Sequence, residues 1–360
     1  MIVDIIAGTR PNFVKIAALF QVLEQHPIKQ RISVRLVHTG QHFDHNMSAS
    51  FFEDLGLPNP DINFGVSGGT HAEQTAQIMI AYETLLISKS SNLCIVVGDV
   101  NSTMACALVA KKMKIKVAHI EAGIRSNDMD MPEEINRMVT DSISDYFFTT
   151  TTWASNNLLR QGISKDSVFL VGNTMIDTLI NNQSKFKKPA FLQSLSITEK
   201  QYILLTLHRP SNVDDKQNLI HILDTIANNT ISTIIFPIHP RTKKILGDFS
   251  VFNNRLFLVE PLGYLEFLYL IKNAKAVITD SGGITEEATF LNIPCMTLRT
   301  TTERPETVAI GTNELIGNNP MDLIPHIKKV DSGNWKKGNI PDFWDGNTAK
   351  RIWDVLNELL

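Results

Sequence analysis

Residues 276–287 read AVITDSGGITEE. An apolar run ends at Thr279, and an acid, a hydroxyl and two glycines lead into a helix-forming stretch. That order spells a strand, a tight turn and a helix start. Paired glycines let a ligand reach backbone N–H groups with no Cβ in the way. The helix start adds unpaired donors and the positive end of a dipole. Ser281, Gly282 and Gly283 therefore suit an anion such as a diphosphate, although a serine-capped turn without a ligand fits the same residues. Gly8-Thr9-Arg10-Pro11 is a second group of this kind. Pro11 belongs in a first helical turn, which puts the cations Arg10 and Lys15 beside a positive dipole end. Either a bound anion or open solvent must offset that placement.

Carboxylates form the complementary set. Asp99 follows LCIVVG, Glu121 lies in HIEAG, and Glu133 and Glu134 stand at a helix start in PEEINR. All lie where strands end or in the loops there, the edge at which open α/β sheets bind ligands. Carboxylates from separate loops can move protons on opposite faces of a substrate. Asp99 as a helix cap, and the two glutamates as partners of their own helix dipole, are the alternatives. In the second half, His208 and His239 each end a strand, and Arg304 sits in TTERPE after CMTLR. His38, His42 and His45 are not read as a metal set, because no acid or cysteine cluster accompanies them.

These groups need strands and helices in strict alternation. Apolar runs supply the strands: IVDIIA, SVRLVHT, LCIVVG, KVAHI, YFFT and VFLVG, then YILLTL, TIIFPI, RLFLVE, AVIT and CMTL. Helical patterns lie between them, as in Asn12 to Glu24, Ser102 to Lys112 and Glu133 to Ser144. Strands this apolar imply parallel sheets covered on both faces. The expected fold is α/β, with two doubly wound Rossmann-like domains facing across a cleft. The polar stretch 181–200 breaks the rhythm, so a boundary belongs at or just before it. The expected domains are 1–172 and 173–346, with an amphipathic helix at 347–360 crossing back onto the first.

The 360 residues suit two domains. A net charge of −3 speaks against a nucleic-acid surface. No apolar run approaches the length of a membrane span, and no leader pattern precedes the first strand. Cys94, Cys106 and Cys295 are scattered in apolar runs, which fits a reducing compartment. The expected location is the cytoplasm.

Together the motifs resemble the non-hydrolysing UDP-N-acetylglucosamine 2-epimerases. The matching pieces are GTRP, HTGQHFD, GDVNST, HIEAGIRS, MPEEINR, GNTMID, LHRPSN, HPRT, DSGGITEEA and TTERPE, in the family's order from Gly8 to about Gly317. The resemblance implies a glycosyltransferase-B-type fold, interconversion of UDP-GlcNAc and UDP-ManNAc, a homodimer, and neither metal nor nicotinamide cofactor. Carried over by position, it implies acid/base and elimination roles for Asp99, Glu121, Glu133 and His208. It also implies UDP contacts at Arg10, Lys15, His208, Phe267, Ser281, Gly282, Gly283, Glu287 and Arg304, with Phe267 near the uracil and Glu287 on the ribose.

The chain also departs from the pattern. Asn12 replaces the usual acid after GTRP, and HRPSN replaces HRREN. Some bacterial members carry a regulatory UDP-GlcNAc site. Its Gln and His correspond to Gln41 and His42, but the Arg that precedes a Gln-Thr pair is replaced by Glu73 before Gln74. GQHFDHNMS, RSNDMDMPEEINR and PLGYLEF are similar to relatives that epimerise UDP-2,3-diacetamido-glucuronic acid. That sugar, and a UDP-sugar glycosyltransferase of the same fold, are the alternatives.

Overall fold

The structure, a computed structural model, describes residues 1–40, 49–247 and 255–360, with backbone alone at 49 and 50. It divides into two compact units, Met1–Asn181 with Asp342–Leu360, and Asn182–Pro341.

Among the described residues, the first unit is built on a seven-stranded sheet: β1 Ile2–Ala7, β2 Ser33–His38, β3 Ile62–Asn63, β4 Leu93–Val97, β5 Lys116–Ile120, β6 Tyr146–Thr149 and β7 Val168–Leu170. Their order is β3-β2-β1-β4-β5-β6-β7, and every pairing is parallel. β4 is buried along its whole length, as an unalternating apolar run requires when helices cover both faces. The order reverses between β1 and β4, so their carboxyl ends diverge there and leave a crevice. Gly8 sits at that point. A Cβ on it would collide with the side chains of Ser102 and Thr39, so only glycine fits.

Among the described residues, the second unit has six parallel strands: β8 Tyr202–Thr206, β9 Thr233–Pro237, β10 Leu256–Val259, β11 Ala276–Thr279, β12 Cys295–Thr297 and β13 Asn313–Leu315. The order β10-β9-β8-β11-β12-β13 puts its reversal between β8 and β11. Ile203, Leu205, Leu219, Ile222, Ile226, Phe236, Ile278 and Met296 form the core beneath that reversal. Both units are Rossmann-like, as the alternating sequence pattern predicts. Two strands escape that pattern, β3 and β13. Both are edge strands, with two and three residues.

The first unit extends past the expected boundary at 172. Helix Thr174–Asn182 is tied into it, because Thr178 Oγ1 donates to Val14 O (2.7 Å) and Asn181 Nδ2 to Gln21 Oε1 (2.8 Å). The return to this unit likewise comes at 342 rather than 347. Helix Thr348–Leu359 packs on helix Arg10–Leu23. Ile352, Trp353 and Leu356 are buried there, and Trp353 Nε1 donates to Leu19 O (2.9 Å). Asp177 accepts from Ala349 N (2.7 Å) at the start of that helix.

Candidate active site

In the first unit, the loops leaving β4 and β5 meet the start of helix Arg10–Leu23. Gly98, just after β4, has φ +69°, and Glu121, just after β5, has φ +68°. Left-handed backbone costs a non-glycine residue energy and clusters at functional sites. Glu121 is also buried, at 4% exposure. Lys15 Nζ donates to its Oε2 at 2.5 Å. A Cβ on Gly98 would lie 3.2 Å from Lys15 Nζ and 3.5 Å from Glu121 Oε2, so Gly98 is packed against this ion pair. Lys15, expected at the diphosphate, is therefore joined to an acid expected at the sugar.

Asp99 is not a helix cap. Val100 takes the cap position of helix Asn101–Lys112. Asp99 Oδ2 instead accepts from Arg137 Nε (2.9 Å) and Nη2 (2.6 Å), and Asn136 Nδ2 holds its carbonyl (2.8 Å). Both partners lie on helix Pro132–Ile143. This helix separates the two adjacent glutamates. Glu134 is buried, pairs with Arg137, and accepts from Ser126 N (2.9 Å), Ser126 Oγ (3.0 Å) and Asn127 N (3.0 Å). Glu133 is half-buried and outside that network.

Asn12, the departure after GTRP, has a structural task. Its Oδ1 accepts from Gly8 N, Thr9 N and Thr9 Oγ1, and its Nδ2 donates to Val97 O (3.2 Å). A carboxylate could not make that last bond. Arg10, exposed at the helix start, places its guanidinium 4.9 Å from the centre of the Phe51 ring. Gln74, in the regulatory group, accepts from Asn101 Nδ2 (2.8 Å). Gln41 and His42 lie outside the described residues, as does His45.

In the second unit, β11 delivers Asp280 to the reversal of its sheet. Asp280 is fully buried and accepts from His208 N (3.1 Å), Arg209 N (3.0 Å) and Asn212 Nδ2 (2.9 Å), with His208 Nδ1 at 2.6 Å. Burial pushes its carboxyl up, but His208, Asn212 and the Arg209 N–H outweigh it and hold it below the ordinary aspartate value. His208 is thus gripped at Nδ1 and by its backbone, while its side chain stays 62% exposed. Asp280 stands directly before SGG, and that adjacency was the available sign of its role.

Helix Gly282–Phe290 follows. Ser281 occupies the cap position, yet its side chain makes no cap hydrogen bond, so a plain serine cap is not what this turn is. Two buried arginines flank it. Arg304 Nε bonds Glu286 Oε1 (3.0 Å), and Arg299 Nη2 bonds Glu303 Oε2 (2.6 Å). Glu287 is buried in the same helix, and Tyr264 Oη donates to it (3.2 Å). Burial pushes the Glu287 carboxyl up to about 8, with Glu286 adding to the effect and Tyr264 opposing it. Phe267, half-buried, lies on the Tyr264–Asn273 helix. His239 is excluded from this cluster in role, since its Nδ1 accepts from Arg241 N and caps its own helix.

Arg137, His119, Asp141 and Asp280 are the residues that the motif reading left out. The first three were visible only as polar residues inside quoted motifs or beside them.

A family model described as UDP-N-acetylglucosamine 2-epimerase matches residues 25–357. A Methanocaldococcus jannaschii protein named UDP-N-acetylglucosamine 2-epimerase is 45% identical, with 99% of each chain covered. A Pseudomonas aeruginosa UDP-2,3-diacetamido-2,3-dideoxy-D-glucuronate 2-epimerase is 36% identical, over 98% of this chain and 99% of that one. The crystal structure of the M. jannaschii UDP-GlcNAc 2-epimerase with UDP-GlcNAc and UDP superimposes with a TM-score of 0.88 at 44% identity, over 99% and 100% of the two chains. The chain belongs to the UDP-N-acetylglucosamine 2-epimerase family.

Proposed function

We propose that the protein interconverts UDP-GlcNAc and UDP-ManNAc by removing and re-adding UDP. No carbonyl adjoins C2 to stabilise a carbanion, so direct deprotonation there is unfavourable. Elimination avoids this. A carboxylate takes the C2 proton, the C–H electrons form a C1–C2 double bond, and the C1–O bond breaks to release UDP. The glycal is neutral. UDP then re-adds at C1 while a proton enters C2 from the other face. The scheme uses proton transfers and one C–O bond, with no change in oxidation state.

The observation that carries this reading is the buried, left-handed Glu121 against Lys15, beside Asp99. We assign proton transfer to Asp99, Glu121 and Glu133. His208, Ser281, Gly282, Gly283, Arg10 and Arg304 are assigned to the diphosphate, where fixed donors stabilise charge as it develops. Phe267 and Glu287 are assigned to the uridine. Turnover in deuterium oxide should give epimerised product with deuterium at C2, read by NMR. Product without solvent deuterium would sink the elimination route, and UDP accumulating in step with turnover would mark a hydrolase.

The 45% identity to the M. jannaschii UDP-GlcNAc epimerase, against 36% to the diacetamido-glucuronate epimerase, favours UDP-GlcNAc, and kcat/KM for the two nucleotides decides between them. We place the enzyme in the cytoplasm, supplying a polysaccharide precursor; three free, buried cysteines suit that compartment. We also propose a homodimer. Helix His71–Ser88 exposes Ile80 (66%) and Ile87 (74%), and helix Pro132–Ile143 exposes Ile135 and Met138. Sedimentation velocity showing a monomer at micromolar concentration would remove this.

A further inference from the structure

Behind the acids lies a buried polar cluster that the mechanism does not use. His119, in β5, is fully buried. Its Nε2 lies 2.8 Å from Gly98 O, and its Nδ1 lies 2.7 Å from Asp141 Oδ1. Each ring nitrogen faces an oxygen acceptor, so neither is left to take a proton from a substrate. Asp141 is also fully buried. Its Oδ2 accepts from Gly123 N (3.1 Å) and from Arg125 Nη1 (2.6 Å). Arg125 is anchored in turn, through Nη1 to Ile124 O (2.7 Å) and Nη2 to Gln161 Oε1 (3.1 Å). Burial pushes Asp141 up, but His119 and Arg125 outweigh it and hold its carboxyl below the ordinary aspartate value. An ionised aspartate here is the common acceptor for the whole cluster.

What the cluster grips is specific. The Gly98 carbonyl belongs to the left-handed residue just before Asp99. Gly123 N belongs to a turn in which both Glu121 (φ +68°) and Gly123 (φ +78°) are left-handed. Asp141 rides on the helix that carries Glu133 and, through Asn136 and Arg137, holds Asp99. One carboxylate therefore links the turn bearing Glu121, the turn bearing Asp99 and the helix bearing Glu133.

We propose that His119 and Asp141, braced by Arg125, are positioning residues that hold Asp99 and Glu121 in register for proton transfer at the sugar. The proposal rests on the epimerase reading for its kinetics but not for its geometry. Misplacing reacting groups by about 1 Å costs on the order of 10²-fold in rate.

The test is Asp141→Asn in the full chain. The amide keeps the shape but cannot accept from every donor around it. The expected result is a fall in kcat of about 10²-fold per UDP-binding site counted by calorimetry, with KM and UDP affinity within about threefold. A packing role alone would lower the protease-resistant fraction of residues 1–181 in step with kcat, leaving kcat per folded first unit unchanged, and that result overturns the proposal. Arg125→Lys is the milder second variant, with a smaller kcat loss in the same direction, and serves if Asp141→Asn does not fold. Crystal structures of the variants give a readout without catalysis. Glu121 and Gly98 should leave the left-handed region; if both keep it, the proposal fails whether or not the wild type proves to be an epimerase.

Discussion

At the scale of single residues, the neighbouring Glu133 and Glu134 part company. Changing Glu121 or Glu133 to Gln keeps the shape and removes a proton acceptor, so turnover should fall by roughly 10²–10⁴. UDP affinity by calorimetry should hold, because the assigned diphosphate contacts lie elsewhere. Near-normal turnover would show the acids to be misassigned. Glu134→Gln should act differently: its amide keeps one acceptor oxygen where the carboxylate has two, so either Asn127 N or the group of Arg137 and Ser126 N loses its acceptor, and it should lower unfolding free energy by about 1–3 kcal/mol in urea titrations. Glu287 makes a pH prediction. Its carboxyl is raised from 4.5 to about 8 in the fold. An unfolded chain releases that proton above its ordinary value, whereas the folded chain keeps it until about 8. Its contribution to stability should therefore be present at low pH and decline as pH rises through that window. Glu287→Gln should flatten this slope; equal slopes in variant and wild type would contradict the burial argument.

At the scale of elements, the strands were legible because parallel, doubly covered strands must be apolar throughout, and AVIT or LCIVV can be little else. β3 and β13 were not, since an edge strand of two or three residues carries no periodic signal. The turns at Gly8, Gly98 and Ser281 were legible from glycine and from an acid or hydroxyl at a strand end. Several things were hidden. Glu133 and Glu134 look alike in sequence and differ only by burial. The hold of Arg137 on Asp99 joins residues on separate elements. Asn12, which looked like a lost acid, proved to be a donor to Val97 O. The loop at Gly98 gives the prediction for this scale. Gly98→Ala must take a left-handed φ, costing roughly 1–2 kcal/mol, and it sets a methyl 3.2 Å from Lys15 Nζ. Both the urea midpoint and kcat should drop. A variant with unchanged kcat would separate this turn from the chemistry.

At the scale of the whole molecule, the first unit is assembled from two distant stretches of chain. Its closing helix, Thr348–Leu359, contributes the fully buried Trp353. Trp353→Ala should cost about 3–5 kcal/mol, the usual worth of a large core aromatic. A loss under about 1 kcal/mol would mean that the site collapses to fill the space. The compact units change over at 181/182 and 341/342, where the sequence pattern leads one to expect 172/173 and 346/347. Thr178 and Asn181 anchor their helix to the first unit through contacts with Val14 and Gln21, more than 150 positions away, and no local pattern reports such pairings.

That crossing sets an order of events during synthesis. The apolar side of helix Arg10–Leu23 is made at the start, and its cover, residues 342–360, only after the whole of Asn182–Pro341 has been translated. At typical elongation rates the wait is on the order of tens of seconds. Throughout it the early half of the nascent chain must stay open or be shielded, while the contiguous second unit can complete itself first. Ribosome-arrested chains of residues 1–341 followed by a linker long enough to span the exit tunnel should therefore show protease-sensitive residues 1–181 beside a resistant second unit, and equal resistance in both halves would mean that the early unit closes without its last helix.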